Sequence, residues 1–176
     1  MDAEYEKTIE AVKFAIQIEI EGKAYYQGAS KKSSNDAGRQ LFEWLAGQEG
    51  EHRSTFEQIY KTISEKNAWP LIKFESDATS RAKNVFLNAI KNLKHSMDNG
   101  RNELDIVAGA IELEEKTQIF YKQRAKEAKQ EIERHFYQSI SEEEQGHYIT
   151  LADYREYIID PAGYFARHER HSLDGA

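Results

Sequence analysis

Gln48-Glu49-Gly50-Glu51-His52 and Glu143-Glu144-Gln145-Gly146-His147 decide how this chain is read. In each stretch a glutamate stands three residues before a histidine, inside a long run with helical periodicity. Three residues on an α-helix is about 300° of turn, so the carboxylate and the imidazole share one face. That face is otherwise apolar. Leu41, Leu45, Phe56, Ile59 and Ile63 surround the first pair; Phe136, Ile140, Leu151 and Ile158 surround the second. A carboxylate buried on such a face is costly unless it is paired or bound to a metal.

The two stretches are copies. His147 lies 95 residues after His52, and Glu144 lies 95 after Glu49. The same shift brings Ala15-Ile16-Gln17-Ile18-Glu19 onto Ala110-Ile111-Glu112-Leu113-Glu114, and Tyr25-Tyr26 onto Phe120-Tyr121. The chain therefore reads as two copies of one helical hairpin. Each offers a lone glutamate on its first helix (Glu19, Glu114) and Glu-x-x-His on its second. This is the ligand inventory of the di-iron and di-manganese carboxylate bundles. In a glutamate-rich chain, Glu-x-x-His also arises by chance. Of the 6 histidines, however, only His52 and His147 have it, and both hold the same place in the repeat.

Composition fits this reading. The 176 residues suffice for one domain with a sizeable core, and charged residues at 31% with 2 prolines suit helices with charged outer faces. The net charge of −7 argues against nucleic acid as a partner. The absence of cysteine excludes a disulfide scaffold and a thiolate-ligated iron–sulfur or rubredoxin-type centre in these residues. The charged start, Met1-Asp2-Ala3-Glu4-Tyr5-Glu6-Lys7, lacks the apolar core of a signal peptide, and no run approaches the length of a membrane span. The expectation is a cytoplasmic protein with no membrane partner.

Taken in order, the pattern predicts helices over 3–31, 37–66, 102–128 and 131–159, an all-α four-helix bundle in residues 1–160. Ser33-Ser34-Asn35-Asp36 is a turn with Asn35 or Asp36 as helix cap. Proline at 70 ends the second helix through Asn67-Ala68-Trp69, and an extended stretch runs on to about Ser76. Residues 79–98 form a shorter amphipathic helix in the long crossover. Its apolar side is Ala82, Val85, Phe86, Ala89, Ile90, Leu93 and Met97, and its basic side is Arg81, Lys83, Lys91, Lys94 and His95. Such a helix can also lie on a membrane or partner, but packing on the bundle accounts for the pattern. Asp98-Asn99-Gly100 is a turn. Pro161 and Gly163 end the helical part, leaving residues 161–176 as a tail whose Tyr164 and Phe165 dock on the bundle or a second subunit. His168 and His171 in that tail are a weaker second metal candidate.

The chemistry follows from the ligand types. Carboxylates with two imidazoles suit iron or manganese, and zinc on ligand type alone. Glu49 and Glu144 are the natural bridges, Glu19 and Glu114 the terminal ligands, and His52 and His147 supply one nitrogen per metal. Four carboxylates against two divalent ions sum to zero charge, which lets the site be buried. Six protein ligands leave open positions for a reactant. Tyr26 and Tyr121 each follow a terminal glutamate by seven residues and reach the surroundings of the metals. Either each is a buried tyrosine with its hydroxyl satisfied, or it has a redox or ligand-orienting role. Gly22, one turn after Glu19, leaves room for substrate or for close helix packing. Glu112, Glu115, Glu142 and Glu143 are expected mostly in solvent.

At Glu19, Glu49-x-x-His52, Glu114 and Glu144-x-x-His147, over about residues 5–160, the sequence resembles the rubrerythrin branch of the ferritin-like superfamily. The resemblance implies a ferritin-like four-helix bundle with two iron ions, reacting with hydrogen peroxide or dioxygen, usually as a homodimer, in the chemistry of oxidative stress. Rubrerythrins proper add a rubredoxin domain, so the electrons here would come from a separate donor protein. They also carry an extra glutamate one turn after the residue matching Glu114, where this chain has Thr117. The symmetric six-ligand set is equally similar to ferritins and bacterioferritins. The leading expectation is a di-iron oxidoreductase; the others are a ferroxidase or iron-handling protein and a non-enzymatic redox sensor.

Overall fold

The computed structural model of the chain describes residues 3–72, 78–91 and 100–173. Among them are six helices: α1 (Ala3–Lys32), α2 (Asp36–Lys66), α3 (Ala78–Lys91), α4 (Gly100–Glu127), α5 (Glu131–Ile159) and α6 (Pro161–Leu173). The all-α bundle is the one the repeat predicts. The three-residue turn at 33–35 folds α2 back along α1, and the break at Ala128-Lys129-Gln130 folds α5 back along α4. Asn35 caps α2: its side chain accepts the Gly38 N–H at 2.8 Å.

The two hairpins face each other with α1 antiparallel to α4 and α2 antiparallel to α5. Phe14 meets Phe120 while Tyr26 meets Glu114; Phe42 meets Tyr154 while Phe56 meets Phe136. Each long helix changes character at its middle. Towards the α1–α2 turn, Tyr26, Leu41, Phe42, Leu45, Leu151 and Tyr154 form one buried cluster. Towards the α4–α5 turn, Val12, Phe56, Tyr121, Phe136 and Ile140 form another. Glu19, Glu49, His52, Glu114, Glu144 and His147 lie between them, so a polar layer crosses an otherwise apolar core.

α3 packs on α5 and α2 through Ala82, Phe86, Ala89 and Ile90. The rest of the predicted crossover helix, with Leu93, Lys94, His95 and Met97, and the Asp98-Asn99 turn lie outside the described residues, as does the end of the extended stretch at 73–77. α2 stops earlier than proline alone requires. Asn67 adopts the left-handed conformation (φ 48°) and its N–H bonds Ile63 O at 2.9 Å, so the helix is already closed before Pro70.

The helical part does not end at Pro161. Proline at the first position of a helix loses no bond, and Asp160 Oδ1 accepts the Gly163 N–H at 2.9 Å, so the chain turns and starts α6. Tyr164 of α6 is buried against Phe86 and Tyr157. The side chains of His168 and His171 are outside the described residues. No described helix is long and apolar enough to cross a membrane.

Candidate metal centre

Helical periodicity alone turns one residue of α1, two of α2, one of α4 and two of α5 into the same layer. They meet there as two overlapping sets, Glu19, Glu49, His52, Glu144 and Glu49, Glu114, Glu144, His147. Within each set the ligand atoms lie within 4.8 Å of one another, and all six residues are buried. Glu49 and Glu144 belong to both sets. Glu144 spans the imidazoles: Oε1 is 3.3 Å from His52 Nδ1, and Oε2 is 3.4 Å from His147 Nδ1. Glu19 Oε2 is 3.5 Å from His52 Nδ1; Glu49 Oε1 and Glu114 Oε2 are each 3.6 Å from His147 Nδ1. The two rings stack, with centroids 5.8 Å apart and planes at 21°.

The donor set fits cations. Glu19 Oε2, Glu49 Oε1, Glu114 Oε2, both Glu144 oxygens and His147 Nδ1 are buried without a hydrogen bond among the described residues. Buried polar atoms are otherwise nearly always bonded, and this many acceptors converging on one space call for positive charge. Protons fill part of that need. Burial, reinforced by Glu144, pushes the Glu114 carboxyl up to about 8 and Glu49 well above the usual carboxylate range. Burial also works against charge on Glu144 and on the imidazoles, but their mutual contacts outweigh it. Glu144 is held below the usual range, His147 rises to about 9, and His52 rises too, with Glu143 its strongest partner.

The tyrosines cross between hairpins. Tyr26 of α1 donates to Glu114 Oε1 of α4, and Tyr121 of α4 donates to Glu19 Oε1 of α1. Burial, then the carboxylate each one touches, raises both phenols well above their ordinary range, so both stay donors. Phe56 stacks on Tyr121 at 5.5 Å and holds that ring. Gly22 faces the centre: a Cβ there would come within 3.0 Å of Glu49 Oε2. Leu45, Phe56, Ile140 and Leu151 are fully buried.

Glu112, Glu115 and Glu142 are exposed, as expected, but Glu143 is not. It is buried, its Oε2 is 2.8 Å from His52 Nε2, and its Oε1 is 3.7 Å from Arg81 Nη2 of α3. Arg81 thus belongs to the surroundings of the centre rather than only to a solvated basic face. Thr117 does not point a ligand inward; its hydroxyl donates to Leu113 O at 3.0 Å.

The family model described as Rubrerythrin matches residues 10–154. No curated protein matches. Among solved structures, a hypothetical protein from Pyrococcus furiosus is similar in fold. It is 19% identical, with a TM-score of 0.63, and the likeness covers 86% of this chain and 90% of that one.

Proposed function

The chain belongs to the rubrerythrin family, and from that premise we propose that it is a di-iron oxidoreductase, reducing hydrogen peroxide or dioxygen with electrons from a separate donor protein. The observation that carries this reading is the sharing of Glu49 and Glu144 between two ligand sets, which suits a pair of bridged ions rather than one. When bound, two iron ions supply two electrons, the number that takes one hydrogen peroxide to water.

The chain's own residues support that chemistry. The four carboxylates and two imidazoles would hold the ions, and the carboxylates would balance their charge. Tyr26 and Tyr121 keep their protons and orient Glu114 and Glu19. Leu45, Phe56, Ile140 and Leu151 exclude water from the flanks. No cysteine relay lies within these residues, so the proposal takes the electrons from outside them. One observation favours a second reading: Thr117, bonded to Leu113 O, stands where the resemblance implies an extra glutamate, and the six remaining ligands suit a ferroxidase equally.

The test is anaerobic loading with Fe(II), followed by peroxide or air. The expected result is oxidation within seconds by peroxide, two electrons per centre, and no second turnover until a donor is added. Sustained consumption of excess Fe(II) with mineral formation would select the ferroxidase instead. A centre that stays ferrous under both oxidants would remove both readings. A homodimer belongs to the same proposal. Phe14 (55% exposed) and Ile119 (59% exposed), on facing helices, offer apolar surface for it. Light scattering showing a monomer at high concentration would count against that part.

A further inference from the structure

The two hairpins repeat the six inward-facing side chains but not what stands behind them, and the difference falls on the histidines. His52 turns Nε2 to Glu143 Oε2, 2.8 Å away and buried with it. A carboxylate only accepts, so Nε2 keeps its proton, and when the ring gives up its other proton it is Nδ1 that is left with a lone pair facing Glu19 and Glu144. Glu143 is itself faced by the Arg81 guanidinium at 3.7 Å, so α3 braces an α5 residue that braces an α2 ligand.

The other copy lacks this chain of contacts. The position 95 residues before Glu143 is Gln48, whose amide lies 3.4 Å from Glu51 Oε2. No described residue accepts from His147 Nε2, which is buried. Trp44 packs perpendicular to that imidazole, with centroids 5.6 Å apart and planes at 89°. Ring packing limits the tilt of an imidazole but does not choose which nitrogen is protonated.

We propose that Glu143, braced by Arg81, is a positioning residue that makes the His52 end of the centre the tighter metal position, so that the two ions load unequally and the His52 end fills first. A carboxylate on the far nitrogen fixes tautomer and orientation and makes the near nitrogen more basic; losing such a partner typically costs about 10–100-fold in metal affinity. At His147 that selection has to occur on binding. This inference rests on the metal-site reading above and adds an order to it.

Two single-histidine proteins separate the positions. His147→Ala keeps the His52 end, and His52→Ala keeps the His147 end. Each is titrated anaerobically with Co(II) and followed by its visible absorption. The His147→Ala protein is expected to bind Co(II) roughly 10–100-fold more tightly than the His52→Ala protein. Adding Glu143→Gln should remove most of that advantage from the His147→Ala protein and leave the His52→Ala protein unchanged. Should the Glu143 variant fail to fold, Arg81→Gln, on the partly exposed side of the relay, should weaken the His147→Ala protein selectively and by less. Equal affinities in the two single-histidine proteins, or equal losses from Glu143→Gln in both, would overturn the inference. Failure of the parent protein to bind Co(II) at all would overturn the metal-site reading instead.

Discussion

Gly22 shows how one atom can set the trade between stability and function. A glycine inside a helix costs about 1 kcal/mol relative to alanine, and α1 bears that cost one turn from Glu19. A Cβ would meet the Glu49 carboxylate at 3.0 Å, the free end of a flexible side chain, so the carboxylate can yield while the helix stays intact. Gly22→Ala is therefore expected to raise the stability of the metal-free protein by up to about 1 kcal/mol and to weaken metal binding, because a shared ligand is displaced. Denaturant unfolding in chelator and a Co(II) titration check the two halves separately; unchanged affinity would mean the space is idle. At this scale the six inward-facing residues were legible, because the three-residue spacing fixes a helix face and the 95-residue repeat removes the ambiguity of a single motif. Glu143 was not. One residue from Glu144, it lies about 100° round the helix, on a flank that reads as solvent until α3 covers it. Nothing in the local pattern of α5 announces that cover. The crossing of Tyr26 to Glu114 and of Tyr121 to Glu19 was likewise out of reach, since it depends on how the hairpins face each other.

Helix ends are held by side chains as much as by breakers. At the α1–α2 turn, Glu103 of α4 is buried and accepts from Ser33 Oγ, Ser34 N and the Tyr154 hydroxyl at 2.7–2.8 Å, while Asn35 Nδ2 donates to the same hydroxyl at 2.8 Å. The turn of one hairpin is thereby stitched to both helices of the other. Asn35→Ala removes the cap of α2 and one strand of that stitching, and is expected to cost about 1–2 kcal/mol in chemical unfolding. Gly38→Ala should cost more. Its Cβ would fall 2.4 Å from Glu103 Oε1 and against the Tyr154 hydroxyl, in a network with no slack. If both variants unfold like the parent, the network is not what closes the bundle. The long helices and the turn at 33–35 could be read from periodicity and capping residues. The extension through α6 could not, because Pro161 and Gly163 look like terminators. Proline is also a good first residue of a helix, and which role it takes depends on Asp160 turning to cap.

Across the whole molecule, the polar layer between two apolar clusters makes stability depend on what fills it. In the metal-free protein Glu114 keeps its proton up to about 8, against 4.5 in an exposed chain, and His147 keeps its proton up to about 9, against 6.5. Glu49 and His52 shift the same way. Between these limits the folded chain holds more protons than the unfolded one, so stability must fall as pH rises. Glu144 works the other way, but only below the ordinary carboxylate range. The metal-free protein should therefore unfold at a lower temperature at pH 8.5 than at pH 5.5. Divalent metal reverses the sign. It binds the deprotonated ligands and expels those protons, so its stabilisation grows over the same interval. Thermal unfolding at both pH values, with chelator and with a divalent ion, gives four midpoints, and the gap between the metal-bound and metal-free pair should be wider at pH 8.5 than at pH 5.5. Parallel pH dependence with and without metal would mean that the ions do not displace these protons, and the six side chains could not then be the ligands. The widening gap would place the competition between metal and protons in the layer where the two apolar halves of the bundle meet.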